Sequence, residues 1–449
     1  MRSDDSSHGV HDEMLHRLQR NSFAYFVHET NPANGLVLDK TAAEWPASIA
    51  AIGMALSSYP VGVERHFMAR DEAVKITLAT LRFFAASEQS ESPDATGYKG
   101  FYYHFLDMAS GRRVWQCELS SIDTALLVAG MLTAAAYFDR DTNEEVEVRA
   151  LAQRLYERVD WTWMLAGGAT ICHGWRPEGG FLPYRWQGYD EALVLYLLAL
   201  GSPTHAVGPE SYQAWCSSYE WKEIYGIEFL YAGPLFIHQM SHIWCDFRGI
   251  RDRFMRAHDA DYFENSRRAT HVQQQYAMRN PLGFRHVGQW CWGVTASDGP
   301  GDETRKIDGV ERVFFDYVAR GAPFGPDDGT IAPWAVAASL PFAPEIVAPT
   351  LAHFAELHVH VPNPYGFKAS LNPVFHDGSA PGFGWVSQYH FGINEGPTVL
   401  MIENHRSGLI WRLMQRCAPL VAGLRRAGFE GGWLDDVVAA ASGPVRGVS

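Results

Sequence analysis

Segments with apolar residues at helical spacing recur along almost the whole chain, separated by long stretches rich in Gly, Pro and aromatic residues. The helical spacing covers 11–28, 47–59, 70–87, 121–138, 144–159, 190–200, 266–279, 344–358 and 396–427, the last divisible into two helices. Side chains at i, i+3, i+4 and i+7 share one face of a 3.6-residue helix, and an apolar face must be buried against another element. Strand signals are few and short, 101–106 being one. Neither a parallel-strand rhythm, a G-x-G-x-x-G turn nor a phosphate-binding loop is present. Ser120-x-x-Asp123 opens one helix like a capping box, and Gly201-Ser202-Pro203 ends another. The loops 92–117, 166–189, 281–304 and 360–395 are of a length that is usually functional in a compact domain. The expected fold is therefore all-α, an α/α toroid with loops that build a site at one end. No linker or short repeat divides the chain, so one domain over 1–449 is expected, with residues 1–10 disordered.

Composition narrows the function. The chain has 449 residues, 47% hydrophobic and 20% charged, enough for a large core. Its formal net charge of -14 argues against a nucleic-acid partner, which needs a basic face to displace counterions. No apolar run approaches the roughly 18 residues of a membrane-spanning helix. The six cysteines are widely spaced and form no C-x-x-C, so they fit free thiols in a reducing compartment. The opening residues lack the apolar core of a secretory signal, so a cytoplasmic location is expected, or a periplasmic one after removal of a leader. Nothing in the sequence sets the oligomeric state.

Of fifteen Trp, 19 Tyr and 25 Phe, Phe is ordinary core material, while so many Trp either fill the voids of a large core or serve a second purpose. A Trp face stacks on the C–H face of a sugar ring while its N–H offers a polar handle. Aromatics and carboxylates meet at four loop–helix junctions. The first, 115–123, holds Glu118 and Asp123 at a helix start, where Asp123 is also the partner of Ser120 in the capping box. The second, 179–191, gathers Trp186, Tyr189, Asp190 and Glu191, with helix capping the plainer role for Asp190. The third, 235–248, carries His238 and His242 four residues apart. A zinc protease would need Glu after the first His, and Gln239 stands there, so no metal is expected and Gln239 and His242 suit sugar hydroxyls better. Asp246 and Arg248 fit a structural ion pair. The fourth joins Trp292 and Asp298 to 391–406, with Asn394, Glu395, Glu403 and Arg406. A turn for Asp298, a cap for Glu395 and a Glu403–Arg406 pair are the plainer readings.

Glycoside cleavage needs two carboxyl groups, one protonated to donate to the departing oxygen and one to activate water or attack the anomeric carbon. Acidic loops with Trp also occur in proteins that only bind sugar. At these junctions the chain resembles the glucoamylase-like bacterial family that includes the endo-β-1,2-glucanases of glycoside hydrolase family 144. The stretches carrying the resemblance include GYKGFYYHFLDMASGRRVW (97–115), ELSSIDTALLVAGML (118–132), GFLPYRWQGYDEALVLYLLALGSPTH (180–205), PLFIHQMSHIWCDFRGI (234–250), WGVTASDGP (292–300) and MIENHRSGLIW (401–411). The resemblance implies an (α/α)6 barrel, no cofactor, and inverting hydrolysis or transfer of β-linked glucose, with β-1,2-glucan the best-known substrate. It places Glu118, Asp123 and Glu191 on acidic site positions, Glu191 as general acid. The family usually shows Asp-Gln-Gly-Pro where this chain has Asn394-Glu395-Gly396-Pro397, which moves the base-side carboxylate to Glu395. It also commonly has Asn in place of Asp190. The expected catalytic set is Glu191, Glu395, Asp123 and Glu118. The expected sugar contacts are Trp186, Tyr189, Asp190, Gln239, His242, Trp292, Asp298, Asn394 and Arg406. A transglycosylase, a hydrolase of another β-glucoside and a silent glucan-binding protein remain the rival readings.

Overall fold

The structure, a computed structural model, describes residues 4–357, 364–376 and 384–441. Burial sorts its helices into two layers. In α2 (Ile49–Glu64), 14 of 16 residues are buried, and in α4 (Ser121–Tyr137), 15 of 17. Every residue of α6 (Leu193–Gly201) and α10 (Pro333–Ala338) is buried, as are 12 of the 15 in α12 (Gly392–Arg406). A helix apolar all round belongs inside. With the half-buried 3-10 turn Leu235–His238 and the buried one Met240–Ile243, these form the inner ring. The outer helices bury one stripe only: 7 of 17 residues in α3 (Arg70–Ala86), 6 of 15 in α5 (Asn143–Glu157) and 4 of 13 in α11 (Pro344–Glu356). They are joined by α1 (Asp4–His28) and α9 (Tyr262–Arg279), while α7 (Pro209–Cys216) and α14 (Ala418–Arg426) both lie against α6. Shorter helices α8 (Arg253–Ala257), α13 (Leu409–Met414) and α15 (Gly432–Ala441) complete the set. The molecule is an (α/α)6 barrel.

The inner ring closes because backbones approach at glycine. A Cβ on Gly53 of α2 would lie 2.3 Å from the Leu126 carbonyl oxygen, and one on Gly130 of α4 would lie 2.2 Å from that of Gly53. Between outer and inner helices run the long loops, which carry small antiparallel sheets. The largest orders strands 97–98, 101–103, 119–120, 174–176 and 180–181 side by side. Strand 105–106 pairs instead with 47–48, so the segment 101–106 ties the start of α4 to the start of α2.

Several expectations are corrected. Residues 4–10 are helical, the first turns of α1, while 1–3 lie outside the described residues. The 396–427 segment is three helices, α12 to α14. The helix expected from 190 starts at Leu193, because the Asp190 side chain accepts the Ala192 N–H at 3.0 Å and holds a turn there. Helices α7, α8, α10 and α15 escaped the periodicity argument. In α10 the cause is visible: six uniformly buried residues have no polar face to set a period. Part of the 360–395 loop lies outside the described residues.

Candidate active site

At the N-terminal ends of the inner helices the loops enclose a cavity of about 500 Å3. Each inner element contributes from its start: Ser48 before α2, Ser120 and Asp123 at α4, Glu191 before α6, Phe236 and Met240 from the 3-10 turns, Trp334 of α10, and Asn394 of α12. Unpaired N–H groups and helix dipoles converge there, an environment that favours anions. Six carboxyl side chains line the cavity (Asp39, Glu118, Asp123, Glu191, Asp298 and Asp316) among Trp45, Phe105, Trp186, Tyr317 and Phe391. Volume and lining suit a small polar ligand with apolar faces.

Glu191 lies deep in this wall. Among the described residues no cation stands within ion-pair distance of it. Burial pushes its carboxyl well above the usual carboxylate range, and the charges of Asp190 and Asp123 push the same way. Its backbone is pinned, the carbonyl accepting the Ser241 hydroxyl at 3.2 Å, and that hydroxyl also accepts the Val194 N–H at 3.0 Å. Trp186 stacks on His173 with ring centroids 3.8 Å apart and donates its Nε1–H to Ser121 Oγ at 2.9 Å.

Around the start of α4 the balance reverses. His104 sits between two carboxylates, with Nδ1 3.1 Å from Glu118 Oε1 and Nε2 3.6 Å from Asp123 Oδ2. Burial opposes its charge, but Asp123, Glu118 and Asp39 together lift the imidazole to about 9. Burial likewise opposes the charge of Glu118, yet His104, a backbone N–H and Arg176 bring it down to about 2. Ser120 accepts the Asp123 N–H at 3.2 Å as the N-cap, but Asp123 Oδ2 turns to the Ser120 hydroxyl at 2.5 Å, not to its backbone N–H, so half of the expected capping box forms. Capping and facing the cavity are thus one geometry for Asp123. Gly174 allows the neighbouring strand to close on Glu118, since a Cβ there would lie 2.3 Å from the Leu119 carbonyl oxygen.

Two further carboxyls are pushed up by burial. Asp39 accepts the Trp45 indole N–H at 3.0 Å, and Asp298 accepts the Ser387 hydroxyl at 2.6 Å. Lys40 stands over three rings, 4.1 Å from the centroid of Trp45, 4.7 Å from Tyr389 and 5.2 Å from Phe391. Such contacts hold an ammonium without a carboxylate partner.

Of the residues expected from the sequence, Glu118, Asp123, Trp186, Glu191, Asp298 and Asn394 line the cavity. The others are turned to structural tasks. Glu395, expected on the base side, is buried against His390 (2.7 Å) outside the cavity lining, and burial outweighs that contact to push its carboxyl up. One residue along a helix rotates a side chain by about 100°, which carries Glu395 behind the wall that Asn394 faces. Arg406 ends α12, away from the cavity, and reaches Gln19 Oε1 at 3.1 Å and Asp12 at 3.4 Å. Glu403 pairs with Arg65 at 2.7 Å rather than with Arg406. Gln239 donates to the Ala335 carbonyl at 2.6 Å and to Ser339 Oγ at 2.7 Å, binding the irregular inner segment to α10. His242 is sealed beside Ser266 Oγ at 3.0 Å, and burial pulls its imidazole down to about 3. His238 faces the Ala232 carbonyl instead, so the two histidines share no ligand direction. Tyr189 packs on the rings of Tyr219, His238 and Tyr262. Asp190 accepts the Trp215 indole N–H at 3.0 Å as well as the Ala192 amide. Trp292 is fully buried with its N–H on Thr350 Oγ1 at 2.9 Å. The Asp246–Arg248 pair forms at 2.7 Å.

Sequence reasoning missed Asp39, Lys40, Trp45, His104, Asp316 and Tyr317. His104 left a trace: it is the one polar side chain interrupting the apolar run Phe101-Tyr102-Tyr103-His104-Phe105-Leu106. Asp39 and Lys40 lie in a shorter loop whose nearness to the cavity no local pattern encodes.

The fold has relatives among known proteins. A curated exo β-1,2-glucooligosaccharide sophorohydrolase (non-reducing end) of Parabacteroides distasonis is 25% identical over 92% of this chain, and the chain spans 58% of that protein's length. A crystal structure of a "putative glucoamylase" from Bacteroides uniformis superimposes with a TM-score of 0.83 at 28% identity, covering 94% of this chain and 98% of that one. The endo-β-1,2-glucanase of Chitinophaga pinensis, in complex with sophorotriose and glucose, shares the fold with a TM-score of 0.79 at 24% identity over 94% of this chain and 99% of its own. The Glycoamylase family, described as "Putative glucoamylase", matches residues 183–418, just over half of the chain, so the protein belongs to that family.

Proposed function

We propose that this protein is a glycoside hydrolase that cleaves β-linked glucan, with β-1,2-glucan or its oligosaccharides as substrate, Glu191 as general acid and inversion at the anomeric carbon. The observation that carries the reading is Glu191 itself, a cavity carboxyl without a cationic partner among the described residues, pushed toward its protonated form by burial, while Glu118 of the same cavity is held ionised by His104. Two carboxyls in opposite protonation states, set by environment, are what acid–base cleavage of a glycoside requires. The sophorohydrolase relative supports the linkage. Trp45, Trp186 and Phe391 offer the aromatic faces a pyranose ring stacks against. The free cysteines fit a reducing compartment.

The expected result is sugar release from linear β-1,2-glucan. Glu191→Gln lowers kcat by about 10²–10⁴, the range of a positioned general acid. An unchanged rate in that variant would remove Glu191 from the mechanism. The neutral Asn394 in the cavity wall favours one second reading, transfer to another sugar in place of water. Longer or cyclic products in the same assay would establish it.

A further inference from the structure

We infer that Asp123 is the general base of this site and that His104 is the positioning residue that holds it. The inference rests on the hydrolase reading above. A base must be a cavity carboxylate, ionised, with an oxygen free to meet water. Asn394 carries no charge, and Glu395 is closed off by His390 behind the wall. Glu191 is the acid. Asp39 and Asp298 each spend an oxygen on a neutral donor, and burial drives both toward the protonated form. Glu118 uses both oxygens, Oε1 toward His104 at 3.1 Å and Oε2 toward Arg176 at 3.5 Å. Asp316 is exposed at the edge of the cavity.

Among the described cavity carboxyls Asp123 is the one left, beside His104 and with one oxygen unspent. Oδ2 meets the Ser120 hydroxyl at 2.5 Å and His104 Nε2 at 3.6 Å, leaving Oδ1 for water. Its place in the first turn of the 17-residue α4 adds the helix dipole to the cation beside it. His104 is itself clamped. Its N–H donates to the Glu118 carbonyl at 2.9 Å, its carbonyl accepts the Ile49 N–H at 3.2 Å, and its ring stacks on Phe105 at 4.0 Å. The groups facing it are Glu118 and Asp123 across the start of α4 and Asp39 from the loop before α2, with Arg176 and His173 beyond Glu118.

The step balances. Water oxygen bonds to the anomeric carbon from the face opposite the departing sugar, and its proton goes to Asp123 Oδ1. The bond from that carbon to the glycosidic oxygen breaks, and the oxygen takes the proton of Glu191. Asp123 ends neutral and Glu191 ionised, and one proton exchanged through solvent restores both.

The test is hydrolysis of linear β-1,2-glucan by wild type, Asp123→Asn and His104→Gln, with kcat and KM measured and the anomer of the first product read by NMR. Asp123→Asn should lose about 10²–10⁴ in kcat with little change in KM. His104→Gln, which keeps the Asp123 carboxylate but removes the ring nitrogen 3.6 Å from its Oδ2, should retain measurable turnover and lose about 10–10² in kcat with KM nearly unchanged, as misplacement of a reacting group does. A purely structural histidine would leave the kcat of the folded variant in place. Retention of more than about a tenth of wild-type kcat by Asp123→Asn overturns the base assignment, and so does a first product with retained configuration. An unchanged kcat in folded His104→Gln overturns the positioning role, and this variant decides the matter where Asp123→Asn fails to fold. Absence of turnover by wild type on any β-glucan defeats the hydrolase reading instead, a distinct result.

Discussion

At the scale of single residues, His104 couples the site to stability. Its folded proton affinity, lifted to about 9, exceeds the ordinary value of 6.5 through the carboxylates around it. A group raised in this way stabilises the fold fully below its unfolded value and loses that contribution as pH rises through its folded value. Glu118, held down to about 2, stabilises above its ordinary 4.5 and loses its contribution as pH falls toward 2. Both act together between roughly pH 4.5 and 6.5. The difference in melting temperature between wild type and His104→Gln should therefore be largest near pH 6 and shrink by about pH 10. A difference independent of pH would mean that the ring acts through packing alone.

At the scale of elements, two contacts decide whether the barrel presents its site. The α2–α4 crossing depends on Gly53 and Gly130, whose missing Cβ atoms leave room for backbone against backbone. Gly130→Ala forces the two inner helices apart at their closest point. Overpacking of this kind costs about 1–3 kcal/mol, readable as a lower denaturant midpoint. The second contact is Arg320, with no exposed surface, bound to Asp328 through Nε and Nη2 at 2.8 Å each. It also donates to the carbonyls of Ser297 (2.7 Å), Phe315 (2.9 Å) and Asp316 (3.1 Å), gathering the loop that carries Asp298, Asp316 and Tyr317. Lysine has one point charge where arginine has a planar fork, so Arg320→Lys leaves Asp328 and several carbonyls underpaired. The expected cost is about 3–5 kcal/mol in unfolding free energy, with a fall in kcat/KM as the loop loosens. Unchanged stability would refute the hub.

At the scale of the whole molecule, the ring of inner helices makes the floor of the site and the loops decide how far substrate extends. Trp115 is 57% exposed beside the cavity, its ring centroid 4.8 Å from Trp45 and 5.2 Å from Phe105, both cavity residues. Trp115 and Gln116 both take left-handed backbone angles, φ 55° and 51°, a cost that non-glycine residues bear where surroundings impose it. Such an aromatic suits a sugar unit outside the cavity. Trp115→Ala should weaken binding of longer β-1,2-glucooligosaccharides by about 0.5–1.5 kcal/mol, comparable to one aromatic contact, and leave the disaccharide unaffected in calorimetry. Equal losses for both lengths would place Trp115 inside the site. Among the described residues no helix is long and apolar enough to cross a membrane.

What the sequence determined by itself was the layer structure and the place of Glu191 at the cavity. Periodicity reports how much of each helix is buried, so the alternation of helix and long loop already implied paired helices with a site on their loops. Ser120-x-x-Asp123 announced the start of α4, and Glu191 was legible because it follows a loop carrying Trp186 and Tyr189 and stands directly before an apolar helix. The rest is a matter of direction. Local pattern places a residue near a helix start but not on one side of it, and about 100° separates Asn394 in the cavity wall from Glu395 against His390. Gln239, His242, Tyr189 and Trp292 read as sugar contacts because polar and aromatic groups look alike in sequence whether they face a ligand or satisfy a neighbour in the core. Only the tertiary structure brought Asp39 of one loop, His104 of a second and Asp123 at the start of α4 together. The proton affinity of His104 follows from that meeting, since charge interacts through space with whatever the fold sets beside it.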